Sequence, residues 1–224
     1  VLAVALLPML GIGGMQLYRA ESPGPVKDNK LVPRLAETAK SLWLLYLSLT
    51  VVCMLAYWAA GMSIFDAISH SFSTVAIGGF STHDASIAYF DNPLIEFIAV
   101  FFMVVAGINF ALHFLALQKR QLKHYLKDPE FQFYVFILGS VSLITVVVLA
   151  ADGTYGSLFE ALRRGLFQVV SFATTTGYAT ADFNSWPLFL PYVLLYAAII
   201  GACAGSTGGG MKVIRILLIF KQGF

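Results

Sequence analysis

Two runs decide how this chain folds: Ser73-Thr74-Val75-Ala76-Ile77-Gly78-Gly79-Phe80-Ser81-Thr82, and Ala173-Thr174-Thr175-Thr176-Gly177-Tyr178-Ala179-Thr180. Each closes a short semi-polar segment set between two long apolar stretches. Gly79-Phe80-Ser81-Thr82 matches Gly177-Tyr178-Ala179-Thr180 at an offset of 98. Further out, Phe65-Asp66-Ala67-Ile68 matches Phe159-Glu160-Ala161-Leu162, Pro93-Leu94 matches Pro187-Leu188, and Gly107 matches Gly201, all at an offset of 94. The chain is therefore an internal repeat. A short helix one turn longer in the second copy accounts for the shift.

The solvent is lipid. Hydrophobic residues make up 58% of the 224, charged residues 12%, and the mean hydropathy is +0.79, outside the range of soluble domains. Uncharged stretches run from Val1 to Tyr18, Ser41 to Phe65, Phe97 to Gln118, Phe131 to Ala151 and Phe183 to Met211. Each approaches or exceeds the roughly 20 residues that cross hydrocarbon, which predicts five membrane helices. Basic residues cluster between them: Arg19, Lys27, Lys30, Arg34 and Lys40; then Lys119, Arg120, Lys123 and Lys127; then Lys212, Arg215 and Lys221. These clusters mark the cytoplasmic side. The opposite side carries Asp84, Asp91, Asp152 and Asp182, with Arg163 and Arg164 as its basic residues; acidic entrances concentrate cations. A net charge of +2 with no basic face excludes nucleic acid as a partner. The chain opens without an initiator methionine and ends just after a basic cluster, so an excerpt of a longer protein is expected.

Topology then constrains Met62 to Asn92. The helix before it leaves a basic cluster and the helix after it returns to one, so both ends lie on one face. Such a segment is too short to cross twice and too apolar for an ordinary loop; a half-crossing helix followed by an extended return fits. Thr154 to Trp186 reads the same way. A helix that stops mid-membrane points its negative C-terminal dipole at the centre and favours a cation there. In the residues that follow, small side chains and glycine let an extended backbone turn carbonyls inward, as ion filters require.

The expected boundaries are 1–35 for the end of one repeat and a linker, 36–128 for a second repeat and 129–224 for a third. Within the second repeat lie a helix over 41–60, a pore helix over about 64–74, a filter over 75–82 and a helix over 93–117. Within the third lie a helix over 131–151, a pore helix over about 158–172, a filter over 173–180 and a broken helix over 187–222. The break is the run Gly201-Ala202-Cys203-Ala204-Gly205-Ser206-Thr207-Gly208-Gly209-Gly210, too rich in glycine to hold a regular helix in lipid. Irregular backbone there must be buried or line water, or the small residues serve close helix packing. The run imitates a nucleophile elbow and a phosphate loop. The first lacks a preceding strand and a His–acid pair, and the second has Met211 where its lysine belongs; no enzyme is expected.

With these motifs, and with Ala204-Gly205-Ser206-Thr207-Gly208-Gly209-Gly210-Met211-Lys212-Val213, the chain resembles the Trk/Ktr/HKT superfamily of potassium transporters. The resemblance implies an all-α membrane protein of four helix, pore-loop and helix repeats around one pathway, of which this chain holds the end of repeat one, all of repeat two and most of repeat three. It implies potassium uptake, with sodium tolerance open because neither run is the Thr-Val-Gly-Tyr-Gly of dedicated potassium channels. Filter positions fall on Val75, Ala76, Ile77, Gly78, Gly79, Thr174, Thr175, Thr176 and Gly177, with Gly79 and Gly177 as signature glycines and Gly78 as the alternative for the first. Gly201, Ala204, Gly205, Ser206, Thr207, Gly208, Gly209 and Gly210 correspond to a gating loop whose carbonyls and hydroxyls could meet the ion. The resemblance further implies a homodimer in the bacterial inner membrane, a cytoplasmic nucleotide-binding regulatory subunit of the TrkA kind, and no cofactor besides potassium as substrate.

The remaining candidates are assigned structural roles. Cys53 and Cys203 sit in apolar helices without ligand spacing, and His70, His83, His113 and His124 show no metal pattern. Asn109, inside an apolar helix, faces protein or pore. Asp84 and Asp182 either attract cations or cap turns. Trp43, Trp58, Tyr89, Tyr155, Trp186 and Tyr192 are interfacial anchors. Two rivals stand beside the filter reading: a secondary transporter of another small solute built on broken helices, and an intramembrane hydrolase using Ser206.

Overall fold

The computed structural model describes residues 35–222. The first expected span, 1–18, and linker residues 19–34 lie outside them. The described chain is helical. Helix α1 (Leu35–Ala59) and helix α6 (Pro129–Asp152) have 25 and 24 residues, enough at about 1.5 Å per residue to cross roughly 30 Å of hydrocarbon. Each is followed by a shorter helix, α2 (Ile64–Val75) and α7 (Leu158–Ala173), of 12 and 16 residues. The difference of four is close to one helical turn.

Local signals start these elements. Ser63 and Ser157, at matched positions, cap α2 and α7 by accepting from the N–H of Asp66 and Glu160 at 3.0 and 3.2 Å. Asn92 and Asp128 cap the next helices, α3 (Pro93–Ala106) and α6, each followed by proline at the first helical position.

The helix expected over 93–117 is instead two. After α3 the chain breaks at Gly107-Ile108-Asn109 and resumes as α4 (Phe110–Lys119), with the axes bent by 91°. Asn109 is therefore not inside a helix but caps α4, its side chain accepting from Ala111 N at 2.9 Å. Gly107 allows the break to pack. A Cβ there would lie 2.3 Å from the Tyr134 hydroxyl, which donates to Val104 O at 3.3 Å. A short helix α5 (Lys123–Lys127) leads to α6, and the chain ends as α8 (Phe189–Ile200), a loop, and α9 (Val213–Gln222).

The short helices α2 and α7 bury polar side chains while leaving large apolar ones on their outer faces. In α2 the buried residues include His70, Ser71, Ser73 and Thr74, while Ile64, Phe65 and Phe72 are exposed. In α7 Arg163, Gln168 and Ser171 are buried and Leu158, Phe159 and Leu162 exposed. Polar groups gather inside because lipid offers them no partners. The two units join where α3 of the second repeat packs against α7 of the third.

Candidate functional site

The two runs expected to form a filter begin from the same hydrogen-bond pattern. At the end of α2, Ala76 N donates to Phe72 O, Ile77 N to Thr74 O and Gly78 N to Ser73 O, at 3.0, 3.1 and 2.7 Å. Corresponding bonds end α7: Thr174 N to Val170 O, Thr175 N to Phe172 O and Thr176 N to Ser171 O, at 2.9, 2.9 and 2.8 Å. Beyond them, Ile77 and Thr175 take φ of 55° and 67°, and Gly79 and Gly177 take 69° and 88°. Glycine adopts this region freely; a β-branched residue there is an outlier costing about 1–3 kcal/mol. The outlier occurs twice, 98 positions apart. Left-handed residues at alternate positions let successive carbonyls turn to one side rather than to opposite sides as in a strand.

The runs also touch each other. A Cβ on Gly79 would lie 2.0 Å from Thr176 O, so this approach requires glycine. Tyr178 reaches across to α2, its hydroxyl donating to His70 O at 3.3 Å and accepting from Thr74 Oγ1 at 3.3 Å. Thr74 in turn pairs with Tyr57 of α1 at 2.9 Å. The Thr174 hydroxyl donates to Val170 O at 2.7 Å and pairs with Thr176 Oγ1 at 2.7 Å.

The glycine-rich loop lies against both runs. Thr207 Oγ1 donates to Val75 O at 2.9 Å, and Gly209 N donates to Thr175 Oγ1 at 2.7 Å. Ser206 Oγ donates to Cys203 O at 2.6 Å. The loop is also laced to the bend between α3 and α4. Cys203 N donates to Gly107 O and Phe110 N to Gly205 O, both at 3.0 Å, and Thr207 N donates to Ala106 O at 3.4 Å. Glu130, 2% exposed at the start of α6, accepts from Ala204 N at 2.6 Å. Two helix breaks at matched positions thus interlock, with the orphaned peptide groups of one serving the other.

Sequence reasoning placed Arg163 and Arg164 as the basic residues of the acidic side and gave them no role; the structure makes them the centre of an ion cluster. Arg163 pairs with Glu96 at 2.8 Å, Asp91 at 2.9 Å and Glu160 at 3.2 Å. Arg164 pairs with Asp91 at 3.1 Å and with Glu96 and Glu160 at 3.5 Å, and donates to Thr180 O. The hydrogen bond from Arg163, aided by both positive charges, holds the Asp91 carboxyl below its ordinary pKa. At the corresponding corner of the second repeat, Thr82 Oγ1 donates to Asp66 Oδ1 at 2.6 Å, His83 Nε2 lies 3.2 Å from the same oxygen, and His70 Nε2 pairs with Ser81 Oγ at 2.9 Å. Asp182 caps a turn by accepting from Asn184 N at 3.0 Å. Cys53 and Cys203 are free and buried. Spacing along the chain could not reveal the Arg163–Glu96 pair, whose members lie 67 residues apart.

The family model described as TrkH, cation transport protein, matches residues 1–224. Curated relatives include the Trk system potassium uptake protein TrkH of Salmonella typhimurium, 60% identical over all of this chain and 46% of that protein. Those of Escherichia coli K12 and Vibrio parahaemolyticus are each 59% identical over the same shares. The crystal structure of the potassium transporter TrkH from Vibrio parahaemolyticus superposes with a TM-score of 0.84 at 52% identity, over 99% of this chain and 44% of that one. The chain spans less than half the length of the relatives it matches. Over the part they share, it belongs to the TrkH family of cation transport proteins.

Proposed function

We propose that this chain supplies the second and third quarters of a potassium uptake pathway in the bacterial inner membrane, with residues 75–79 and 174–177 as filter segments and the loop 201–210 as the gate beneath them. The observation that carries the reading is the twofold recurrence of a β-branched residue at positive φ two positions before a glycine at positive φ, each directly after the C-terminus of a half-length helix. Strain that recurs at matched places is characteristic of functional backbone. Both helices direct their negative ends at the runs, which stabilises a cation, and carbonyls presented there can replace its water. The loop's bonds to Val75 and Thr175 support reading it as the gate. Sodium tolerance, a homodimeric assembly and a cytoplasmic nucleotide-binding subunit that works the gate belong to the same reading, supported by the family. Hydrolysis by Ser206 gains no support, since the partners of Ser206 Oγ are Cys203 O and Gly208 N and not a histidine.

The test is rubidium and sodium tracer uptake into proteoliposomes containing the full-length parent. Potassium-competed rubidium uptake is expected, with discrimination against sodium reduced by Gly177→Ser and flux raised by partial deletion of 205–210. Failure of rubidium to enter, or selectivity indifferent to Gly177→Ser, would discard the filter and leave a broken-helix transporter of another solute.

A further inference from the structure

Counted back from the filters, Asp66 of α2 and Arg164 of α7 occupy matched positions, 98 apart like the filters themselves. Each touches the residue three beyond the filter glycine: Asp66 accepts from the Thr82 hydroxyl, and Arg164 donates to the Thr180 carbonyl. One place in the repeat is therefore braced by an anion in one copy and by a cation in the other. A guanidinium at the outer mouth of a cation path is adverse unless its charge is balanced. Here Asp91, Glu96 and Glu160 surround Arg163 and Arg164 with three carboxylates for two guanidiniums. Two of the three, Asp91 and Glu96, belong to the second repeat, and the Arg163–Glu96 pair is nearly sealed from solvent at 6% and 2% exposure. A planar guanidinium holds a carbonyl and several carboxylates in a fixed five-donor fork, whereas a lysine offers three rotatable donors on a point charge.

We propose that Arg164 is a positioning residue for the outer end of the third-repeat filter, and that the second-repeat carboxylates Glu96 and Asp91 both aim it at the Thr180 carbonyl and cancel its charge. The inference rests on the filter reading above. Its two halves separate experimentally. Losing the guanidinium frees the extended segment 178–180 and loosens discrimination, whereas losing a carboxylate leaves positive charge at the mouth and slows cation entry.

The full-length parent in proteoliposomes is assayed for potassium-competed rubidium uptake and for sodium uptake. Arg164→Gln is expected to lower the rubidium-to-sodium ratio on the order of tenfold, mainly by admitting sodium, as loss of a charge-assisted hydrogen bond allows. Arg164→Lys should recover part of the ratio. Asp91→Asn is expected to reduce rubidium uptake about twofold at low ionic strength, with recovery as salt screens the mouth. A monodisperse Arg164→Gln protein with the wild-type ratio overturns the proposal. If that variant does not fold, a wild-type ratio in Arg164→Lys together with unaltered uptake in Asp91→Asn overturns it equally. Wild-type protein that takes up no rubidium would be a different result, defeating the filter reading itself.

Discussion

Residues 75–79 and 173–177 share their backbone bonds and their sequence of φ values, yet the aromatic residue after each filter glycine has opposite surroundings: Tyr178 is 1% exposed and Phe80 81%. Tyr178 is covered because α2 of the preceding repeat stands beside it and offers His70 O and Thr74 as partners. Phe80 has no such wall among the described residues. The copies thus agree in their backbone and differ where they meet neighbours. Equivalent backbone is made twice, while the support of the third-repeat run comes from the repeat before it. The outer braces carry the same lesson, since Asp66 works within its own repeat and Arg164 relies on carboxylates from the one before.

The comparison breaks most readily at Gly79. A methyl group there would collide with Thr176 O at 2.0 Å. Overpacking by about 1–3 kcal/mol at the filter is expected to lower rubidium uptake by Gly79→Ala roughly tenfold to a hundredfold; uptake near wild type would show that the two runs are not held together. Next comes the aromatic pair. Tyr178→Phe removes two hydrogen bonds and should destabilise the full-length protein by about 1–2 kcal/mol in thermal unfolding, whereas Phe80→Tyr should leave the transition where it is. Equal shifts would mean that burial of Tyr178 is incidental. The smallest effect is a pH dependence. Asp91 has a folded pKa below its unfolded one, so its contribution is fully present above the unfolded value, about 3.9, and is lost as pH falls through the folded value. The melting temperature of wild type should therefore hold from neutral pH to about 5 and decline in stronger acid, and Asp91→Asn should shallow that decline. Because Asp91 is exposed, solvent screening keeps the difference slight; a steeper acid decline in Asp91→Asn would contradict the ion cluster.

Much of this architecture was legible in the sequence. The change of offset from 94 to 98 between flank and filter corresponds to α2 and α7 having 12 and 16 residues, and the glycine-rich run interrupts the last helix between Ile200 and Val213. The bend at Gly107-Ile108-Asn109 was not anticipated, because one glycine and one asparagine in an apolar run are compatible with a continuous helix. The clue lay in the match of Gly107 with Gly201, which makes a second break the consistent reading of the repeat. Left-handed conformations at Ile77 and Thr175 were equally hidden: β-branched residues argue against positive φ, and only the surrounding fold imposes it. The ion cluster escaped because it joins charges from two repeats.

The interlocking of the two helix breaks bears on biogenesis. A chain threaded into the bilayer from its N-terminus delivers α3 and α4 before the loop after α8 has been made. During that interval the carbonyls of Ala106 and Gly107 lack the donors that Thr207 and Cys203 later bring, and exposed peptide groups are costly in hydrocarbon. The economical nascent form is one straight helix through Gly107, which makes the bend of 91° a late event, completed when the third repeat arrives. A translocation intermediate truncated before residue 201 should then carry that helix unbent.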